Sequence, residues 1–322
     1  MRTSLLAIGV FCVASAYARD ETVLILDKDG KVHEGQSSLS AIFVNGRKIA
    51  LSGVLSIHSG EPASAHEAAR IQAGMAGIQA YKNEIIQSDA RRNRDAAVEE
   101  IAAIGIPAMT PLLRAYKDTD QHEPRPLYRL FERVMPSEAD QLDRTASLVR
   151  LSTGELLRGK VDAFAVTLNG AKIPWQNIRR LAVRRKTVAR FVELHSIRHS
   201  TQIEYLDTGV IVTPESNITS KATGFVRLSW DTDGWASDAN GLKVPGPNYK
   251  TNLVDGHAFG AIVGRIRSSG EVFLVGAQFS RKGLGTGPLH LAVNDNRHWQ
   301  NNLGAFRVAL QVTNAYDAGA AQ

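Results

Sequence analysis

The richest cluster of metal-ligating oxygens in the sequence lies in residues 289–310, LHLAVNDNRHWQNNLGAFRVAL. Two apolar, strand-like runs flank a loop carrying Asn294, Asp295, Asn296, Asn301 and Asn302, and Gly304 closes it. Carboxylate and amide oxygens at this density suit a hard cation. Calcium takes six to eight oxygen ligands from Asp, Asn, main-chain carbonyls and water, and a flexible loop can wrap it. A single carboxylate, Asp295, would leave bound calcium with residual positive charge, open to neutral oxygens such as sugar hydroxyls in place of water. The same residue types also build ordinary turns, because Asn and Asp bond their own backbone and tolerate the left-handed region. Composition alone leaves both readings open.

Other constellations are weaker. His195 and His199 are four residues apart in a segment that reads as strand, where that spacing separates them too far to share a metal. No H-E-x-x-H accompanies them. Gly-Leu-Gly-Thr-Gly at 283–287 lacks a strand–loop–helix setting and a following Lys-Ser/Thr, so it reads as a hairpin turn. There is no G-x-S-x-G nucleophile elbow. Glu204, Asp207, Asp231 and Asp233 are the carboxylates for a glycosidase pair, but their spacing does not pair them. These patterns predict a non-enzymatic protein.

The elements that must position the loop follow from periodicity. Residues 23–57 and 147–181 form an internal repeat. Gly30 matches Gly154, Gly35 matches Gly159, Asn45-Gly46 matches Asn169-Gly170 and Ile49 matches Ile173, all offset by 124 residues without gaps. Each copy alternates apolar and polar residues in short runs broken by turns that permit φ > 0. Two small, strongly bent SH3/Sm-like β units are predicted, packed together because one copy alone could hardly cover its own apolar face. Between them the period changes to 3.6. Ile71, Met75, Ile78, Tyr81 and Ile85 mark one helix, and Ala97, Val98, Ile101 and Ala102 a second ended by Gly105. Pro107 suits the first turn of a third, striped by Met109, Leu112, Leu113 and Tyr116, and Leu127 to Val134 form a fourth. Residues 94–118 look like a HEAT-type hairpin, within a helical insertion expected to pack on the two β units.

Residues 178–190, IRRLAVRRKTVAR, are the densest basic run. They read as a solvated strand face and linker, or as a site for an anionic polysaccharide or other polyanion. Nucleic acid is disfavoured, since no aromatic residues interleave. From about His199 to Thr313, short apolar runs separated by glycine-containing turns imply a β-sandwich.

The sandwich segment resembles the bacterial galactophilic, PA-IL-like lectin family. The resemblance rests on Asn294-Asp295, then Asn301-Asn302, Gly304 and Phe306, in that order. Upstream, residues 257–266 resemble the family's central strand, and Asp207 to Val210 with Ala222 to Gly224 its opening strands. The match covers residues 199–313, about a third of the chain. It implies Asp295, Asn301 and Asn302 as calcium side-chain ligands, with main-chain carbonyls from Arg297 or His298 and from Leu228. It also implies sugar contacts through Asp295, Asn301 and Asn302. The spacer after Asp295 looks one residue shorter than in the lectins, and the family's sugar-contacting His and Gln have no counterpart in VPGPNYKTNLVDG. Metal binding therefore carries over further than galactose preference. Trp299, Trp230 and Trp235 are candidates for stacking on a sugar ring, or for the core.

Arg2, an apolar run from Leu5 to Ala14 and Ala16-Tyr17-Ala18 read as a signal peptide over residues 1–18, which predicts a secreted or periplasmic protein. The only cysteine, Cys12, would leave with it, excluding disulfides, cysteine nucleophiles and cysteine-ligated metals. Without Arg2 the net charge falls from +6 to +5. The expected organisation is a β unit at 19–60, the helical insertion at 61–140, the second β unit at 141–190, the sandwich at 199–313 and a disordered tail at 314–322. The expected function is calcium-dependent carbohydrate binding. The alternatives are an interaction protein whose sandwich has lost sugar binding, and the targeting module of a polysaccharide-acting enzyme.

Overall fold

The computed structural model describes residues 21–81, 88–108, 111–112, 146–201, 203–228, 235–242, 254, 256–295 and 302–319. The expected leader at 1–18 lies outside them. The protein is mainly β with a small helical part, as its alternating runs predict. The first copy of the repeat folds as β1 (Glu21–Asp27), β2 (Val32–Ser37), β3 (Ala41–Val44), β4 (Arg47–Ala50) and β5 (Val54–His58). The second folds as β6 (Ser147–Leu151), β7 (Leu156–Gly159), β8 (Ala165–Leu168), β9 (Ala171–Pro174) and the start of β10 (Ile178–His195). The hairpin turns repeat as well, with φ near 50° at both Asn45 and Asn169 and positive φ at Gly46 and Gly170.

The two copies exchange strands. β1 pairs with β10 and β6 with β5, so the first strand of each copy lies beside the last strand of the other. β5 and β10 pair antiparallel with Ile57 opposite Leu181, which are equivalent positions, so a pseudo-twofold axis passes between them. One shared core results, combining Ile25, Ile42, Leu51 and Ile57 with Val149, Val166, Trp175 and Leu181. Each Asn of the repeat then clasps the opposite copy. The Asn45 amide donates to the Arg158 carbonyl at 3.0 Å and its oxygen accepts from the Lys160 N–H at 2.9 Å. Asn169 donates to the Glu34 carbonyl at 3.4 Å. Gly159 and Gly35 leave room for these side chains; a Cβ on Gly159 would sit 2.1 Å from the Asn45 amide, and one on Gly35 3.2 Å from Asn169. The repeated glycines and asparagines are thus two halves of one lock.

α1 (Ala65–Tyr81) opens with a capping box. Ser64 Oγ accepts from the Glu67 N–H at 3.1 Å and Glu67 accepts from the Ser64 N–H at 2.8 Å. It crosses α2 (Ser88–Ile104) closely at Gly74, where a Cβ would stand 2.9 Å from Ile101. Ile71, Ile78, Ala97 and Ile101 fill that contact, as the stripes predict. Gly105, at φ 72°, ends α2, and Ile106–Ala108 form a short 3-10 turn where Pro107 was expected to open an α-helix. The HEAT-type hairpin finds no support. The long partner of α2 among the described residues is α1, and most of the second arm, with the fourth helix, lies outside them. No helix among the described residues is long and apolar enough to cross a membrane.

The helices also pack on the sandwich, not on the β units alone. Asp95 pairs with Arg265 at 3.1 Å, Glu99 accepts from the Ser268 N–H, and Arg94 donates to the Ile203 carbonyl at 2.7 Å. Burial pushes the Asp95 carboxyl upward, but the Arg94 and Arg265 guanidiniums outweigh that and hold it below its usual value.

The sandwich comprises the rest of β10 with β11 (Leu206–Val212), β12 (Asn217–Arg227), β13 (Ala236–Ser237), β14 (Ile262–Ile266), β15 (Phe273–Leu274), β16 (Gln278–Lys282), β17 (Gly287–Val293) and β18 (Leu303–Asp317). One layer runs β15-β14-β17-β11-β18-β10, and β18 also pairs along its length with β12, which carries β13 and β16. Residues 283–287 connect β16 to β17, which do not pair, so they cross between layers and do not close a hairpin. β18 passes the expected limit at Thr313 and reaches Asp317. Ala318 is held by the Gly209 carbonyl, so residues 314–319 are not a loose tail.

The basic run is not a linker. It is the first two-thirds of β10, and each of its five arginines bonds another part of the chain. Arg179 is 2% exposed and forms two 2.6 Å bonds to Glu67, with further bonds to the Ser59, Glu61 and Pro62 carbonyls. Arg180 bonds His58 and the Ala318 carbonyl. Arg184 pairs with Glu34 and Glu215, Arg185 bonds the Ser52 and Val54 carbonyls, and Arg190 pairs with Asp317.

Two outcomes are expected. Gly159→Ala drives a methyl group into Asn45 and should destabilise by about 1–3 kcal/mol, from the loss of its two hydrogen bonds at about 0.5–1.5 kcal/mol each. Gly35→Ala should cost less, since its neighbour has only to yield slightly. Urea unfolding midpoints check both. His58 is held well below 6.5 by burial first, then by Arg180 and Arg150. Its depressed value means the unfolded chain takes up the proton first. Stability is therefore full above pH 6.5 and falls as pH drops below it, by up to about 1.4 kcal/mol per unit. Melting curves between pH 8 and 5 should show this fall, and His58→Gln should flatten it.

Candidate functional site

The Asn- and Asp-rich loop is entered from β17 and left into β18. Antiparallel pairing of β17 with β14 and β11 brings Asn294 and Asp295 to one end of the sandwich. β10 ends at the same place. Its last residue, His195, is followed by a turn in which the His199 N–H reaches the His195 carbonyl at 2.9 Å. The two histidines are therefore not strand-spaced as their sequence predicts, and their rings lie 5.9 Å apart. His199 Nδ1 accepts from the His195 backbone N–H at 3.1 Å. Among the described residues, no group of three His, Cys, Asp or Glu side chains is placed to hold a metal ion.

Three loop residues are almost fully buried, each with a different task. Asn294 is structural. Its amide donates to the His257 and Ala258 carbonyls at 3.1 and 3.2 Å, and its oxygen accepts from the Val254 N–H at 3.0 Å. Its own carbonyl accepts from Gly260 at 2.7 Å, and a Cβ on Gly260 would meet the Leu228 side chain at 2.8 Å. Leu228 therefore lies one packing contact from the loop, with its side chain in the core and its N–H on the Trp235 carbonyl.

Asp295 and Asn302 face each other. The Asn302 amide nitrogen donates both to an Asp295 carboxylate oxygen and, at 3.1 Å, to the Ser196 carbonyl. Asp295 is further fixed through its backbone by Thr201 Oγ1, at 3.1 Å from its N–H and 3.2 Å from its carbonyl. Both side chains are 1% exposed. Asn302 Oδ1 is buried and accepts no hydrogen bond among the described residues. An amide oxygen left without a donor costs about 1–3 kcal/mol, unlike the fully satisfied Asn294 beside it. A carboxylate next to an amide oxygen with unused lone pairs is a donor set that suits a hard cation.

The remaining expected ligands, Asn301 and His298 (or Arg297), and the expected sugar contact Trp299, lie outside the described residues, as does Trp230. Trp235 packs edge-on against Phe259 at 5.7 Å, which makes it part of the core. Ser196 and Thr201, which fix Asn302 and Asp295, carry no motif. Only the turn after β10 brings them here.

No family model matches the chain, and no curated protein does. Among solved structures, the EclA N-terminal domain, a PllA-like lectin, is similar at 18% identity over 39% of this chain and 96% of that domain, with a TM-score of 0.31.

Asn294→Ala should remove three buried hydrogen bonds and lower stability by about 2–4 kcal/mol in calcium and in chelator alike. Equilibrium unfolding in both conditions checks that this residue serves the frame and not the ion.

Proposed function

We propose that this protein is an exported, non-catalytic module that binds carbohydrate through a calcium ion at the loop between β17 and β18. The reading rests on the buried Asn302 oxygen, which accepts no hydrogen bond among the described residues and lies beside the Asp295 carboxylate. Asp295 and Asn302 would hold the ion with Asn301, and carbonyls from the loop and from Leu228 would complete its shell. Bound calcium supplies residual positive charge to which two neighbouring sugar hydroxyls can coordinate. The chain's own contribution is to keep the two side chains together and dry. Ser196 orients the Asn302 amide, Thr201 fixes the Asp295 backbone, and Asn294 ties the loop to the start of β14. The sugar-binding residues of this reading are Asp295, Asn301, Asn302 and Trp299.

Calcium should raise the melting temperature relative to chelator, because a ligand specific to the folded state stabilises it, by about 2.7 kcal/mol at one hundred times its dissociation constant. Asp295→Asn keeps the side-chain volume and removes the charge, so it should abolish that shift. A glycan array probed with and without calcium then identifies the sugar. If calcium moves nothing, the sandwich is a packing module and the chain an interaction protein.

A further inference from the structure

Where the β pair, the helices and the sandwich meet, a cavity of about 340 Å3 is walled by β1 and β2, by α1 and α2, and by the outer face of the sandwich. That size falls within the range of small-molecule sites. Leu24, Val32, Ile211 and Pro288 give it an apolar side. Its charged groups differ in how far their hydrogen bonds are already used. The acceptors are committed: Glu100 to Arg70 at 2.6 Å, Glu99 to the Ser268 N–H, and Asp207 to the Gly209 N–H at 2.9 Å. Two of the donors are not. Arg180 spends Nε and Nη2 on neutral groups, the His58 ring and the Ala318 carbonyl; its Nη1 bonds nothing among the described residues, although Asp207 and Asp317 lie near enough to favour its charge. Among the described residues Arg267 donates only through Nε, to the Thr286 carbonyl at 2.7 Å.

The conformation of Arg267 is itself unusual. Its φ of +61° lies in the left-handed region, which non-glycine residues adopt uncommonly. Its stem lies on Gly287, where a Cβ would approach within 2.4 Å of Arg267 Cγ. Backbone strain of this kind is kept where a side chain has to be aimed, at ligand clamps among other places. Here it holds a guanidinium with two uncommitted nitrogens at the cavity wall.

We propose that this cavity is a second binding site, for a small organic carboxylate whose charged group bridges Arg180 and Arg267 and whose apolar body lies against Leu24, Val32 and Ile211. The ligand touches the β pair and the sandwich and so fastens them together. None of the proposed ligand's contacts is a residue of the candidate cation loop, so the two sites are tested separately. Benzoate is the probe, with benzamide as its neutral isostere and acetate as the carboxylate without a body. Millimolar benzoate should raise the melting temperature of the full chain by about 2–4 °C, increasing with concentration, while benzamide does not and acetate does so weakly. Arg267→Gly relieves the strained φ while removing the guanidinium, so it should fold at least as well and lose the response to benzoate. Asp295→Asn should keep it. Absence of a benzoate shift, an equal shift with benzamide, or a shift retained in Arg267→Gly would each overturn the proposal.

Discussion

Strand β10 serves two sheets with one stretch of backbone, and the rest of the architecture follows from that. Ile178 to Val183 pair with β1 and β5, and from Arg184 onward the same strand pairs with β18. No linker separates the N-terminal pair from the sandwich, so their relative placement is set by the twist of a continuous strand. Side chains alternate along it. One face enters the N-terminal core with Ile178, while the other points Arg179 at the start of α1. A guanidinium buried there requires a carboxylate, and Glu67 supplies it while also capping the helix. Breaking such a buried pair costs about 3–5 kcal/mol, far more than a surface pair is worth. The helices are thereby anchored at one end by β10 and along α2 by Arg265 and Ser268 of the sandwich.

The candidate cation loop depends on the same strand. β10 stops at His195, and the turn that follows presents the Ser196 carbonyl to Asn302 and Thr201 to Asp295. Two side chains from the flanks of one loop are thus held by a third segment more than ninety positions away in sequence.

Much of this was legible in the sequence, and the parts that were not share a physical reason. Turn chemistry is local, so Asn45-Gly46 and Asn169-Gly170 announced two copies of a bent β unit. Helix stripes and the stop at Gly105 were equally local. Strand exchange between the copies was hidden, because either pairing buries the same alternating face. The basic run misled for a related reason. Six charges in a short segment suggest solvation, and their partners Glu67, Glu34 and Asp317 lie 112, 150 and 127 residues away. At the site, residue type picked out Asp295 and Asn302. It could not separate the satisfied Asn294 from the unsatisfied Asn302, which differ only in what surrounds them.

The pseudo-twofold between Ile57 and Leu181 gives the N-terminal half the geometry of a homodimer fused into one chain. Its first copy has no partner for the outer edge of β1 until β10 has been made, more than a hundred residues later. As a nascent chain it must therefore wait, its hydrophobic strands uncovered, for a half that emerges only after the helices. Pairing of this high sequence separation closes only when the second copy has been made, which is slow by topology and leaves an open strand edge in the meantime.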